Sequence, residues 1–130
     1  MNILICGLGA AGCKVVNDAI KAKVINENDT IMINSTSKDF PKDYKGKTII
    51  ISPQNVGCGK EREVSKAYII NAIKNNMFDL DYINKYSTII LVSSTEGGTG
   101  SGATPTLAQY FAKVLVKNVH IFCLSSFGML

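Results

Sequence analysis

The sequence predicts an α/β domain built on a doubly wound, mostly parallel, Rossmann-like sheet of about five strands. Two observations carry this. Apolar runs of strand length alternate with stretches whose apolar residues recur at helical spacing. The runs are nearly continuous in their apolar character, as strands covered on both faces must be, and several end in a glycine-rich or polar loop.

In chain order, Asn2 to Cys6 is the first apolar run and stops at Gly7-Leu8-Gly9-Ala10-Ala11-Gly12. Val15, Val16, Ala19 and Ile20 then recur with the period of a helix. Lys21 to Asp29 is polar, and Thr30 to Ile33 is a second strand ending at Asn34-Ser35-Thr36-Ser37. Pro41 and Gly46 break a charged stretch before a third strand, Thr48 to Ile51. A smaller glycine loop spans Asn55 to Gly59, and Lys60 to Lys74 carries Val64, Ala67, Tyr68, Ile70, Ala72 and Ile73 in a helical pattern. Asp79 to Tyr86 is a short amphipathic connection. Thr88 opens the fourth strand, Thr104 to Lys117 reads as a helix with Leu107, Tyr110, Phe111, Val114 and Leu115 on its apolar side, and Val119 to Leu124 is the last strand.

The chain has 130 residues, 46% of them hydrophobic, and a formal net charge of +4. That length accommodates one domain with a real core. No apolar run approaches the roughly 18 residues of a membrane-spanning helix. The opening residues read as a strand and not as a signal peptide, so a cytoplasmic location without membrane contact is expected. The 14 basic residues are spread along the chain, which gives no footprint for direct nucleic acid binding. Four cysteines show no CxxC pair, and the single His120 cannot complete a zinc site. Cys6 and Cys123 lie in strand patterns and are expected to be buried free thiols.

The most informative stretch is Gly97-Gly98-Thr99-Gly100-Ser101-Gly102, following a strand and preceding a helical pattern that begins near Ala103. Four glycines in six residues are costly in backbone entropy unless something approaches the backbone closely. A glycine-rich turn entering a helix presents unpaired N–H groups and the positive end of the helix dipole, a combination suited to phosphate. Gly7, Gly9 and Gly12 also match a dinucleotide-binding fingerprint between a first strand and a first helix. A dinucleotide enzyme places an acid at the end of the second strand, where this chain has Asn34-Ser35.

These segments together resemble the tubulin/FtsZ superfamily. Gly97 to Gly102 is similar to its phosphate-loop signature, and Gly9 to Cys13 to its first nucleotide loop. Asn34 to Asp39 is similar to its second loop, and Gly57-Cys58-Gly59-Lys60-Glu61-Arg62 to its third. The second and third look most like the phage- and plasmid-borne TubZ branch, whose members form filaments that segregate DNA. The resemblance implies a GTP- and GDP-binding cytoskeletal protein that assembles with copies of itself, works with a DNA-binding adaptor protein, and uses Mg2+. It places Ser94, Gly97, Gly98, Thr99 and Gly100 around the α- and β-phosphates, and Gly9, Ala10, Ala11, Gly12 and Cys13 beneath the phosphates and ribose. Asn34 joins them from the second loop, and Gly57, Cys58, Gly59 and Lys60 close on the γ-phosphate.

Ala10 stands where tubulins carry a glutamine, Thr36 where many FtsZ-like proteins carry an aspartate, and Glu96 where a small residue is usual, so the metal ligands stay open. In the family, base recognition and the acidic loop that drives hydrolysis come later in the chain. Residues 1–130 are therefore expected to be a single, truncated nucleotide-binding domain, the N-terminal half of a GTPase, without catalytic residues of its own and inactive alone. Two alternatives stay beside this reading: an NAD-binding Rossmann oxidoreductase subunit, and a non-catalytic GTP-binding relative.

Overall fold

The computed structural model describes residues 2–52, 62–94 and 98–124. Strand β1 spans Ile3–Leu8 and passes without a linker into helix α1, Gly9–Lys21. β2 is Thr30–Asn34 and β3 is Lys47–Ile50, followed by α2 at Arg62–Lys74 and a single turn, α3, at Leu80–Ile83. β4 is Thr88–Ser94, α4 is Gly98–Gln109, and β5 is Asn118–Leu124. The strands form one sheet in the order β3-β2-β1-β4-β5, and every pairing is parallel. The predicted fold class and strand number therefore hold.

Alternate residues of each strand point to opposite faces of the sheet. Leu4, Cys6, Leu8, Ile31, Ile33, Ile89 and Leu91 meet Ile69 and Ala72 of α2 and Leu107 and Phe111 of α4 in the larger core. Met32 and Val92 turn to the other face, where they pack with Cys13 and Val16 of α1. Burial on both faces explains why the inner strands read as continuous apolar runs.

The second face is covered less completely. Beside α1 an apolar hollow of about 410 Å3 remains open, lined by Ile5, Val16, Ile90, Val92 and Phe122 among others. β5 is the edge strand, and Ile121 and Phe122 on its two faces are each about half exposed. Cys123 beside them is exposed, which corrects the expectation of a buried thiol; Cys6, in the central β1, is fully buried. An apolar strand pattern alone does not separate an edge strand from a central one.

Two helices also depart from their sequence reading. On α2 the buried positions are Ser65, Ile69 and Ala72, with Tyr68, Ile70 and Ile73 partly buried against the core, while Ala67 is exposed; Ser65 is buried where Gly102 of α4 approaches it. Helix α4 begins at Gly98, several residues before the expected Ala103, so the glycines form its first turn. Pro105 lies inside α4 and leaves the Ser101 carbonyl without its usual N–H partner. The expected continuation to Lys117 becomes a π turn at Tyr110–Val114, closed by Val116 in the left-handed region at φ 55°.

Candidate functional site

Because all strands run parallel, the ends of β1, β2 and β4 reach one edge of the sheet. Leu8 is level with Ile33 of β2, and Gly7 with Val92 of β4. The chain leaves β1 toward β2 but leaves β4 toward β5, so the crevice between β1 and β4 is the point at which ligands of such sheets gather.

Helix α1 starts in this crevice. Gly9 turns the chain from strand to helix at φ 75°, a conformation that favours glycine. The N-cap position, Leu8, offers no side-chain hydrogen bond, and the first turn carries no acid. The first N–H groups of α1 thus lack both an internal cap and a compensating charge, the condition under which an anion is held. Ala10 and Ala11 are exposed on this turn. Helix α4 repeats the arrangement: Gly98, Thr99 and Gly100 form its first turn, which is also free of acids. Ser94, half-buried, is the last residue of β4.

Other predicted residues have structural tasks. A Cβ on Gly12 would fall on the Val92 carbonyl, so this glycine lets α1 rest directly on the β4 backbone. A Cβ on Gly7 would stand 2.9 Å from the Gly12 carbonyl oxygen. Cys13 is fully buried, and its thiol donates to the carbonyls of Gly7 at 3.5 Å and Ile33 at 3.8 Å. Burial pushes that thiol up to about 12, with the Asp39 charge adding a smaller push, so it is protonated at neutral pH. The Cys13 side chain faces the protein interior, and as the fifth residue of α1 its N–H is committed to the helix, so the free N–H groups of this turn are those before Gly12.

Asn34 is buried at the tip of β2. Its Nδ2 donates to Asp39 Oδ2 at 3.3 Å, its Oδ1 accepts from the Ser35 N–H at 2.8 Å, and its carbonyl accepts from the Ile51 N–H at 2.9 Å. The amide is thus tied into its own loop and holds the Asp39 carboxylate, which remains exposed. Thr36 caps the following 3-10 turn by accepting from the Lys38 N–H at 3.3 Å. Magnesium carried on phosphates needs only one or two protein oxygens, and Asp39 is the one acid between Asn34 and Asp39, with its carboxylate exposed. Gly57, Cys58, Gly59, Lys60 and Gly97 lie outside the described residues.

Sequence reasoning did not single out the close docking of α2 on α4. A Cβ on Gly102 would fall on Ser65 Oγ and on the Arg62 carbonyl, while Ser65 is fully buried and donates to that carbonyl at 3.0 Å. Also unpredicted is a cleft of about 440 Å3 at the opposite edge of the sheet, lined by Asp29, Lys47, Tyr82 and Tyr86 among others. Its acids are occupied from within: Tyr86 donates to Asp29 Oδ1 at 2.6 Å, and Glu27 Oε2 accepts from the Lys45 N–H at 3.2 Å.

Residues 2–128 match the Tubulin/FtsZ family, GTPase domain. The chain belongs to the tubulin/FtsZ family. It is 28% identical over 122 residues to the tubulin-like protein TubZ of Clostridium botulinum C phage, covering 92% of this chain and 33% of that protein. It is 25% identical over 127 residues to cell division protein FtsZ 1 of Pyrococcus furiosus, covering 95% of this chain and 33% of the relative. The chain thus spans about a third of the length of the curated relatives it matches. In fold it is similar to GDP-bound CetZ1 from Haloferax volcanii, with a TM-score of 0.77 at 23% identity over 95% of this chain and 41% of that one. Tail-truncated TubZ of Clostridium botulinum phage c-st gives 0.76 at 24% identity, over 95% and 40% of the two chains. TubZ, FtsZ and CetZ proteins all appear among these family relatives, so the matches do not favour one branch.

Proposed function

We propose that this chain is the phosphate-holding part of a GTP-binding, filament-forming protein. The observation that carries the reading is the pair of helices α1 and α4, both starting at the β1–β4 crevice without an acid in the first turn. Two positive dipole ends at one switch point suit a phosphate chain, with the free backbone N–H groups of Gly9 to Ala11 at the head of the Gly9 to Cys13 segment on one side and of Gly98 to Gly100 on the other. Ser94 stands at the end of β4 between them, and Gly57 to Lys60 and Gly97 complete the set that the family resemblance implies. When bound with the nucleotide, Mg2+ neutralises phosphate charge, and Asp39, steadied by Asn34, is the residue that would hold it.

The chemistry this reading assigns is GTP hydrolysis to GDP and phosphate, in which positioning and charge stabilisation do most of the catalysis. In this reading the residues named here bind and orient the nucleotide. The second and third loops support a TubZ-like role in DNA positioning, carried out through self-association and an adaptor protein. Among the described residues, no helix is long and apolar enough to cross a membrane.

The test is equilibrium titration calorimetry of the chain with GTP, GDP and NAD. Saturable binding of GTP and GDP without NAD binding is expected. NAD binding in preference to GTP would overturn the reading and favour a dinucleotide enzyme, whose second strand normally ends in a ribose-binding acid in place of the internally bonded Asn34.

A further inference from the structure

Helix α4 has a gap in its hydrogen-bond ladder at the end of its first turn. Pro105 has no N–H, so the Ser101 carbonyl lacks the partner that the residue four places on would supply. Beyond this gap the helix is fixed. Gly102 lies against the Arg62 carbonyl and Ser65 Oγ of α2 with no room for a side chain, and Ala103 and Leu107 are fully buried in the larger core. Before the gap stands the turn from Gly98 to Ser101, whose two glycines leave its backbone unusually free. The gap therefore separates a seated helix from the turn that the phosphate reading places against the ligand.

Thr104 lies at this joint. It is 5% exposed, and its Oγ1 is buried without a hydrogen-bond partner among the described residues. A buried hydroxyl left unpaired is costly, and the great majority of such groups in folded proteins are satisfied. A threonine hydroxyl inside a helix can donate to a carbonyl three or four residues back, and the residue three back from Thr104 is Ser101. The unpaired donor and the acceptor that Pro105 leaves free can thus be joined by rotation about one side-chain bond. We propose that Thr104 is a positioning residue for the phosphates: on nucleotide binding its hydroxyl donates to the Ser101 carbonyl, supplies the bond that Pro105 withholds, and holds the first turn of α4 in place. This role rests on the phosphate reading above and adds to it the group that sets the position of the turn.

The test is a double-mutant cycle on Thr104 and Pro105, read by equilibrium binding of GTP and GDP and by thermal unfolding of the ligand-free chain. A neutral hydrogen bond of ordinary strength corresponds to about a fivefold change in affinity. Thr104→Val keeps the shape and removes the hydroxyl, so it is expected to weaken both nucleotides about fivefold while the thermal midpoint stays level or rises. Thr104→Ser, which keeps the hydroxyl, should bind within about twofold of wild type. Pro105 is exposed, and Pro105→Ala returns an N–H to the Ser101 carbonyl; in that background Thr104→Val should change affinity by less than about twofold. Affinity of Thr104→Val within about twofold of wild type would overturn the assignment. So would an equal loss in the Pro105→Ala background, or a loss that tracks a lowered midpoint, since either makes Thr104 a packing residue only. Failure of the wild-type chain to bind either nucleotide would overturn the phosphate reading itself, a result distinct from these.

Discussion

Gly12 lies against the Val92 carbonyl with no room for a side chain, so α1 is seated directly on the backbone of β4. This contact aims the start of α1 at the crevice between β1 and β4. A Gly12→Ala change should therefore act against its own helix propensity. Alanine favours a helix interior by about 1 kcal/mol over glycine, yet overpacking a closed contact costs about 1–3 kcal/mol. A net loss of stability is expected in urea unfolding, together with weaker GTP binding. A stabilised variant would show that the contact is looser than described.

The opposite edge of the sheet supplies a control. Tyr86, nearly buried, donates to Asp29 at 2.6 Å and also contacts the Asn28 carbonyl at 3.2 Å. Removing the hydroxyl in Tyr86→Phe deletes a hydrogen bond to a carboxylate and should cost about 1.5–3 kcal/mol of stability. Because the proposed nucleotide edge lies at the other end of the strands, GTP affinity of the folded variant should stay at the wild-type value. An affinity loss comparable to that of a phosphate-loop variant would contradict the assignment of the two edges.

Much of this arrangement was legible in the sequence, for definite reasons. Continuous apolar runs revealed a sheet covered on both faces, and glycine clustering marked the two helix starts that meet at the crevice. What the sequence hid were matters of three-dimensional closeness. Gly12 and Gly102 read as loop glycines for a ligand, but in the fold their missing side chains admit β4 and α2. Asn34 read as a ligand and is tied into its own loop. Cys13 read as part of a nucleotide loop, and its thiol turns inward. The exposure of Cys123 depends on β5 being the edge strand, which strand order alone decides.

The buried thiols give a pH dependence with a fixed sign. Burial raises Cys13 from 9.0 to about 12 and Tyr44 from 10.0 to about 12, and Cys6 is pushed further in the same direction. Between the ordinary and the raised values the unfolded chain releases a proton that the folded chain keeps, so stability falls as pH rises through that window. Well below pH 9 these groups are protonated in both states and contribute no slope. Urea midpoints measured from about pH 8 upward should decline once the ordinary thiol value is passed, and less steeply in Cys13→Ala. A thiol reagent at neutral pH should modify the exposed Cys123 while Cys6 and Cys13 stay protected until unfolding.

The uncovered face and edge at β5 bear on behaviour in solution. Phe122 is half exposed beside the apolar hollow, and among the described residues β5 is paired on one side only. Such edges template pairing with other chains. Light scattering of the 130-residue chain at micromolar concentration should report oligomers insensitive to GTP, reduced by Phe122→Ser. Phosphate release by the 130-residue chain should stay at background, as the proposed binding and orienting role implies. A monomer that releases phosphate with saturable kinetics would overturn this view of the isolated chain.

The central claim is that phosphates sit between the starts of α1 and α4, and amide chemical-shift mapping during GTP titration tests it most directly. The backbone N–H signals of Gly9 to Cys13 and of Gly98 to Gly102 should move together and saturate, while Lys47, Tyr82 and Tyr86 at the opposite edge stay in place. Shifts concentrated on Lys47, Tyr82 and Tyr86, with both glycine segments unmoved, would contradict it.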